Sequence, residues 1–207
     1  NSALTPWMYS KIKKGDIRSM RKVLQLLSIV VVGIAVALML ISPELVLIFG
    51  SPKYREAVYV IPPVAASVFF IFIYNILSMP QFYYEKTQFL MAASMAAAGA
   101  NVVLNFIFIR LFGYIAAGYT TLACYMLYSV GHYIVSKRIL VNEGIQENLM
   151  SPGFLVACSV FLIGASIICN LIFPYRILRY AILLASAGLV FWKKELLLKT
   201  MADIRKK

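Results

Sequence analysis

Acidic residues are scarce in this chain. Eight Asp and Glu stand against twenty Lys and Arg among 207 residues, and charges of both signs make up only 14%. Apolar residues make up 62%, with a mean hydropathy of +0.83. A soluble globular domain carries roughly 25% charged and about 45–50% apolar residues, so the composition excludes that class and reads as a membrane protein. Cysteine is equally sparse. Cys124, Cys158 and Cys169 are odd in number, lie within apolar runs and show no C-x-x-C spacing, which argues against a disulfide framework and against a metal site. The single histidine, His132, has no acidic residue in any charge-free run to exchange protons with, and reads as an interfacial hydrogen-bonding group. No Ser-His-Asp set, glycine-rich phosphate loop or membrane-facing carboxylate pair appears, so the chain is not read as an enzyme and no cofactor is implied.

The charges that are present avoid five runs, residues 23–41, 62–79, 89–109, 114–135 and 154–173, which contain no Asp, Glu, Lys or Arg. Each is close to the ~20 residues that cross a ~30 Å hydrocarbon core as a helix, and none alternates polar with apolar as a barrel strand must. A sixth run, 177–192, is shorter and contains Arg179. If all six cross, fifteen basic residues fall on one side and five on the other, Lys53, Arg55, Arg110, Arg176 and Arg179. If the sixth does not cross, the asymmetry vanishes, so the positive-inside rule favours six crossings with both ends of the chain cytoplasmic. The net charge of +12 then marks topology and contact with anionic membrane lipid, not nucleic-acid binding.

The expected fold is therefore all-α, a polytopic integral membrane bundle of about six helices, four core spans plus an appended pair. Residues 1–22 read as the end of a preceding helix and a basic cytoplasmic connector, 23–138 as a four-helix lobe portion and 139–153 as a cytoplasmic loop. Residues 154–192 supply two further spans and 193–207 a basic cytoplasmic tail. The chain starts without Met and without a signal-peptide layout, which reads as a piece of something longer.

Small residues mark one candidate contact. Ala93 and Ala97 are spaced by four, as are Ala92, Ala96 and Ala100, and such rows let helices approach closely in lipid. Asn101 and Asn105 continue the first row. The next run repeats the style at Ala116, Thr120 and Cys124, so the two helices are expected to pack across Gly113. Asn101 and Asn105, like Asn75 beside Tyr74, act either as glue between helices or as the lining of a wet cavity for a hydroxyl-rich substrate. The frequency of amides at ordinary helix contacts favours glue. Pro62 and Pro63 mark either the start of a helix or a kink in one beginning near Glu56, and with Gly113 are candidate hinges; Pro80 is expected to end its span.

Several consecutive features resemble one family. Ala3, Leu4 and Pro6 precede a basic stretch with Gly15 and Asp16; "ELVLIFGSPKYREAV" keeps Phe49, Gly50, Tyr54 and Ala57; "YYEKTQ" is a short basic turn; "NVVLNFIFIRLFGYIAAGYTT" holds the Asn-x-x-x-Asn helix, the Gly turn and the small-residue restart. Over residues 3–138 the chain resembles the C-terminal half of a polysaccharide or O-antigen flippase of the multidrug/oligosaccharidyl-lipid/polysaccharide exporter superfamily. It departs from that pattern at Arg110 and Leu111, often Pro in the family, and at Ala116, Ala117 and Gly118, often Gly-Ala-Ala. The resemblance implies a transporter of the bacterial cytoplasmic membrane that flips an undecaprenyl-linked oligosaccharide by alternating access, with a missing N-terminal lobe of the same protein as partner. The last two spans resemble an extra pair that forms a groove for the lipid tail. The alternatives are a drug or cation antiporter on the same scaffold, or a non-transporting scaffold for polysaccharide assembly.

Overall fold

Hydrocarbon offers no partner to an open N–H or C=O, so runs without charge close their hydrogen bonds within helices. The computed structural model describes residues 4–192. They form α1 (Leu4–Lys13), α2 (Ile17–Leu40), α3 (Ser42–Phe49), a 3-10 segment (Pro52–Tyr59), α4 (Ile61–Tyr83), α5 (Gln88–Phe112), α6 (Ala116–Asn142), α7 (Pro152–Ile172) and α8 (Arg176–Trp192), with no strand among the described residues. Four of them, α2, α4, α5 and α7, are long and apolar enough to cross a membrane, which points to a membrane protein. Two expected spans fall outside that set. The helix α8 has 17 residues, and α6, though 27 residues long, is diluted by Tyr, Thr, Ser and His side chains.

Several boundaries differ from the sequence reading. Asp16 caps α2, its carboxylate accepting from the Ser19 N–H at 3.3 Å, so the helix starts at Ile17 inside the supposed connector. The connector is otherwise the amphipathic α1, which buries Trp7, Met8 and Ile12. Of the two readings of Pro62 and Pro63, the structure takes the first. Both prolines sit in the opening turn of α4, where a missing N–H costs nothing, and the residues before them form the exposed 3-10 segment. Pro80 does not end α4, which continues to Tyr83 because one proline removes only one ladder bond. The helix α6 runs to Asn142, into the expected loop 139–153. The tail 193–207 and residues 1–3 lie outside the described residues.

Short connections make α4, α5 and α6 successive antiparallel neighbours, which leaves α4 and α6 parallel. Their contacts ascend together: Gly118 lies against Val60 and Pro63, the Ser129 hydroxyl is 2.9 Å from the Phe70 carbonyl, and His132 meets Gln81. This is the closest helix pair in the fold, and α4 is its spine, with Phe69, Ile73, Ile76 and Leu77 almost completely buried. At one end of the bundle the Arg21 Nε donates to the Asn148 carbonyl at 2.7 Å, and Lys86 pairs with Glu143 at 3.0 Å. At the other, the turn between α5 and α6 is made by Gly113 at φ 77° and ψ −179°, a conformation reserved for glycine.

The same far end holds a two-pronged buried ion pair. Arg179 of α8 is 3% exposed and grips Glu44 of α3 through two parallel bonds, Nη1 to Oε2 and Nη2 to Oε1, each 2.8 Å. Its Nη1 also donates to the Leu40 carbonyl at 2.6 Å, and the Tyr180 hydroxyl donates to Glu44 at 2.9 Å. The fork geometry ties α8 to the end of α2. Arg179, a problem for a membrane span, is therefore a tether near the end of its helix.

Two outcomes are expected. Beside Arg179, and with the further Tyr180 bond, the Glu44 carboxyl is held at about 2 against an ordinary 4.5. A depressed carboxyl stabilises the fold fully above about 4.5, and that contribution fades as pH falls towards 2. The thermal unfolding temperature of the purified protein should fall over that window, and Glu44→Gln should remove that part of the fall. Second, a Cβ at Gly118 would stand 2.8 Å from Pro63 Cγ and 2.9 Å from the Val60 oxygen, whereas at Gly99 it meets nothing within 4 Å. Gly118→Ala should cost about 1–3 kcal/mol in unfolding from detergent, and Gly99→Ala should be neutral or stabilising.

Candidate functional site

The middle of the bundle carries polar side chains on three helices at helical spacing. On α6, Thr121, Tyr125 and Tyr128 recur at i, i+4 and i+7; on α5, Ser94, Ala97 and Asn101 recur at i, i+3 and i+7. These faces meet, with Tyr74 of α4 at one side, around a half-open cavity of about 460 Å³. The two alanines at 97 and 98 supply the room, and the lining holds no charged residue. The Ser94 and Tyr128 hydroxyls lie 2.7 Å apart across the α5–α6 gap. Tyr74 stacks nearly parallel to Tyr125 at 6.3 Å between centroids and tilts against Tyr128 at 4.7 Å. The result is a wall of aromatic faces beside one amide, Asn101, and the hydroxyls of Ser94 and Thr121.

The four candidate side chains have separate fates. Tyr74 and Asn101 line this cavity together. Asn105 sits one turn further along α5 and bridges the helices: its Nδ2 donates to Asn101 Oδ1 at 2.9 Å, and the Thr120 hydroxyl donates to its Oδ1 at 2.6 Å. It links α5 to α6 and holds the Asn101 amide. Asn75 turns away. Its Nδ2 donates to the Ile71 carbonyl of its own helix at 2.7 Å, and it does not line the cavity. The row Ala93, Ala97, Asn101 and Asn105 faces α6, whereas Ala92, Ala96 and Ala100 are exposed. Pro62, Pro63 and Gly113 lie away from the cavity lining, the prolines buried at the head of α4 and the glycine in the α5–α6 turn.

His132 makes a hydrogen bond within the bundle. It is fully buried on the flank of the cavity, edge-on to Tyr128 at 4.5 Å and to Phe89 at 5.4 Å. Gln81 Nε2 lies 2.7 Å from its Nδ1, so Gln81 donates and the ring proton sits on Nε2. Neither His132 Nε2 nor Gln81 Oε1 has a hydrogen-bond partner among the described residues. The pair was invisible in the sequence because 51 residues separate its members. The tyrosines of α6 were legible in principle, since the 121, 125, 128 spacing marks one face.

The lining combines three tyrosine rings, two hydroxyl side chains and one amide with apolar residues, and carries no charge. No group of three or more His, Cys, Asp or Glu able to hold a metal ion occurs among the described residues.

Asn105→Leu removes both the donor to Asn101 and the acceptor for Thr120. It should cost on the order of 0.6–2 kcal/mol of stability. Asn75→Leu, which loses only a bond within one helix, should cost less. Reversible unfolding of both variants in mixed micelles gives the comparison.

Compared with known proteins, the chain matches no family model, no curated protein and no solved structure at a significant level.

Proposed function

We propose that this chain is part of a transporter that moves an undecaprenyl-linked oligosaccharide across the bacterial cytoplasmic membrane by alternating access. The observation that carries the reading is the uncharged cavity between α4, α5 and α6, where Tyr74, Tyr125 and Tyr128 face Asn101 and Ser94 inside an apolar bundle. The cavity pairs ring faces and hydroxyls with apolar side chains such as Ala97 and Val102, a mixture that suits a sugar with its C–H faces and hydroxyl edges. A second feature supports the lipid half of the substrate. An apolar groove of about 420 Å³ runs between α4, α6 and α7, lined by Phe69, Ile73, Met126 and Leu155 among others, and its chemistry suits an isoprenoid tail.

In this reading α6 and α8 also cross, giving six spans with the Lys86–Glu143 end cytoplasmic and Arg110 and Arg176 outside, as the fifteen-to-five division of basic residues favours. The helix α5 packs chiefly against α6 and buries none of its residues fully. A second lobe facing α5 completes the cavity, and rocking of the two lobes gives alternating access. Antiport of a cation is the weaker reading, because α2, α4, α5, α6 and α7 contain no Asp or Glu. A scaffold role leaves the cavity without a purpose.

The test is surface-polysaccharide export by the full-length protein in a strain lacking its own lipid-linked oligosaccharide flippase. Asn101→Leu and Tyr74→Ala should lower export at least ~10-fold while membrane protein levels stay normal, the loss of one or two hydrogen bonds or stacking contacts. Full export by both variants would rule out this cavity as the transport site.

A further inference from the structure

The end of the bundle where α2 meets α8 carries a second, unlike cavity. It has a volume of about 520 Å³ and lies between α3, the 3-10 segment and the start of α8. Three of the five basic residues expected on the outer side line it, Arg55, Arg176 and Arg179. Of the two acidic residues at that end, Glu44 and Glu56, only Glu44 reaches the cavity, and both its oxygens are taken by Arg179 and Tyr180. Glu56 accepts from the Tyr114 hydroxyl at 3.2 Å. One guanidinium is thus neutralised and two remain.

Arg179 also brings an unanswered group. The side chain is 97% removed from solvent, yet its Nε has no hydrogen-bond partner among the described residues. A buried donor on a charged group is costly when unpaired. The helix α8 starts here as well, and its first N–H groups form the positive end of a 17-residue helix. The other walls, Val46, Leu47, Val58, Phe173 and Pro174, are apolar. An anion with an attached apolar body satisfies both halves.

We propose that this cavity binds a phosphate group, with Arg55 and Arg176 as its charged ligands and Arg179 as the buried anchor of the site. The shared chemistry is a phosphate monoester or diester. Its sources are the headgroup of an anionic phospholipid, whose acyl chains lie along Leu47 and Phe173, or free phosphate. The site does not depend on the transport reading, because it is built from the far end of the bundle and shares no lining residue with the tyrosine–amide cavity.

The experiment uses the purified full chain in neutral detergent and reads thermal unfolding and lipid retention by native mass spectrometry. The probes are phosphatidylglycerol, the neutral diacylglycerol with the same chains, and inorganic phosphate. Phosphatidylglycerol should raise the unfolding temperature and remain bound, and diacylglycerol should do neither. Stabilisation by inorganic phosphate as well identifies free phosphate as sufficient; its absence assigns the site to the lipid headgroup. Arg55→Gln and Arg176→Gln should each weaken phosphatidylglycerol binding ~10-fold, and the double variant more, with folding preserved because both side chains are exposed. Lys53→Gln removes an exposed cation of the same end that does not line the cavity, and should leave binding unchanged. Equal binding by wild type and the double arginine variant overturns the proposal, as does an equal loss in Lys53→Gln, which reduces the effect to general surface charge.

Discussion

The fold depends on keeping α6 enclosed. This helix carries Thr120, Ser129, His132 and Ser136, all buried, and a helix so furnished could not face hydrocarbon without stranding polar groups. Its polar side chains are answered by neighbours on both sides: the Phe70 carbonyl and Gln81 on α4, Asn105 and Ser94 on α5. The absence of a side chain at Gly118 lets α6 approach Pro63 closely enough for those bonds to form. Two apolar helices therefore protect one polar helix. The tyrosine–amide cavity is the space their unequal side chains leave between them.

The two ends of the bundle are built differently. At the end expected to be cytoplasmic, single contacts such as Lys86 with Glu143 and Arg21 with the Asn148 carbonyl hold loops. Exposed pairs of that kind contribute little, and much of the order there comes from buried Trp7, Met8, Leu149 and Met150. At the opposite end a buried guanidinium does the holding. Arg179 reaches a carboxylate 135 residues earlier in the chain and a carbonyl at the end of α2, so α8 is attached by charge where its packing is thin. Removal of one partner would leave the other charge buried and unanswered, which makes this contact costly to break.

The helices were legible where the cause was local. Charge-free runs of membrane length mark α2, α4, α5 and α7, and the spacing of Ala93, Ala97, Asn101 and Asn105 marks the face of α5 that meets α6. Long-range partners were not. Asn75 resembled Asn101 in sequence, but its amide closes on Ile71 one turn away, a choice made by rotamer and packing. The burial of His132 depends on Gln81 and Phe89, which no periodicity links to it. The short helix α3 lay hidden because it is only eight residues long, too brief for a hydrophobic pattern to stand out from loop composition, and of α1 only a helix end within residues 1–22 was legible.

The central claim is that water reaches the space between α4, α5 and α6 while the outer faces of the bundle meet lipid. Labelling of single cysteines in membranes, in a background without Cys124, Cys158 and Cys169, tests it most directly. Ala97→Cys places the thiol in the cavity wall, and Phe161→Cys places it midway along α7 on a surface that is 56% exposed. A charged, water-soluble methanethiosulfonate should modify the cysteine at 97 and spare the one at 161. An inert position 97, or equal labelling of the two, would contradict the account.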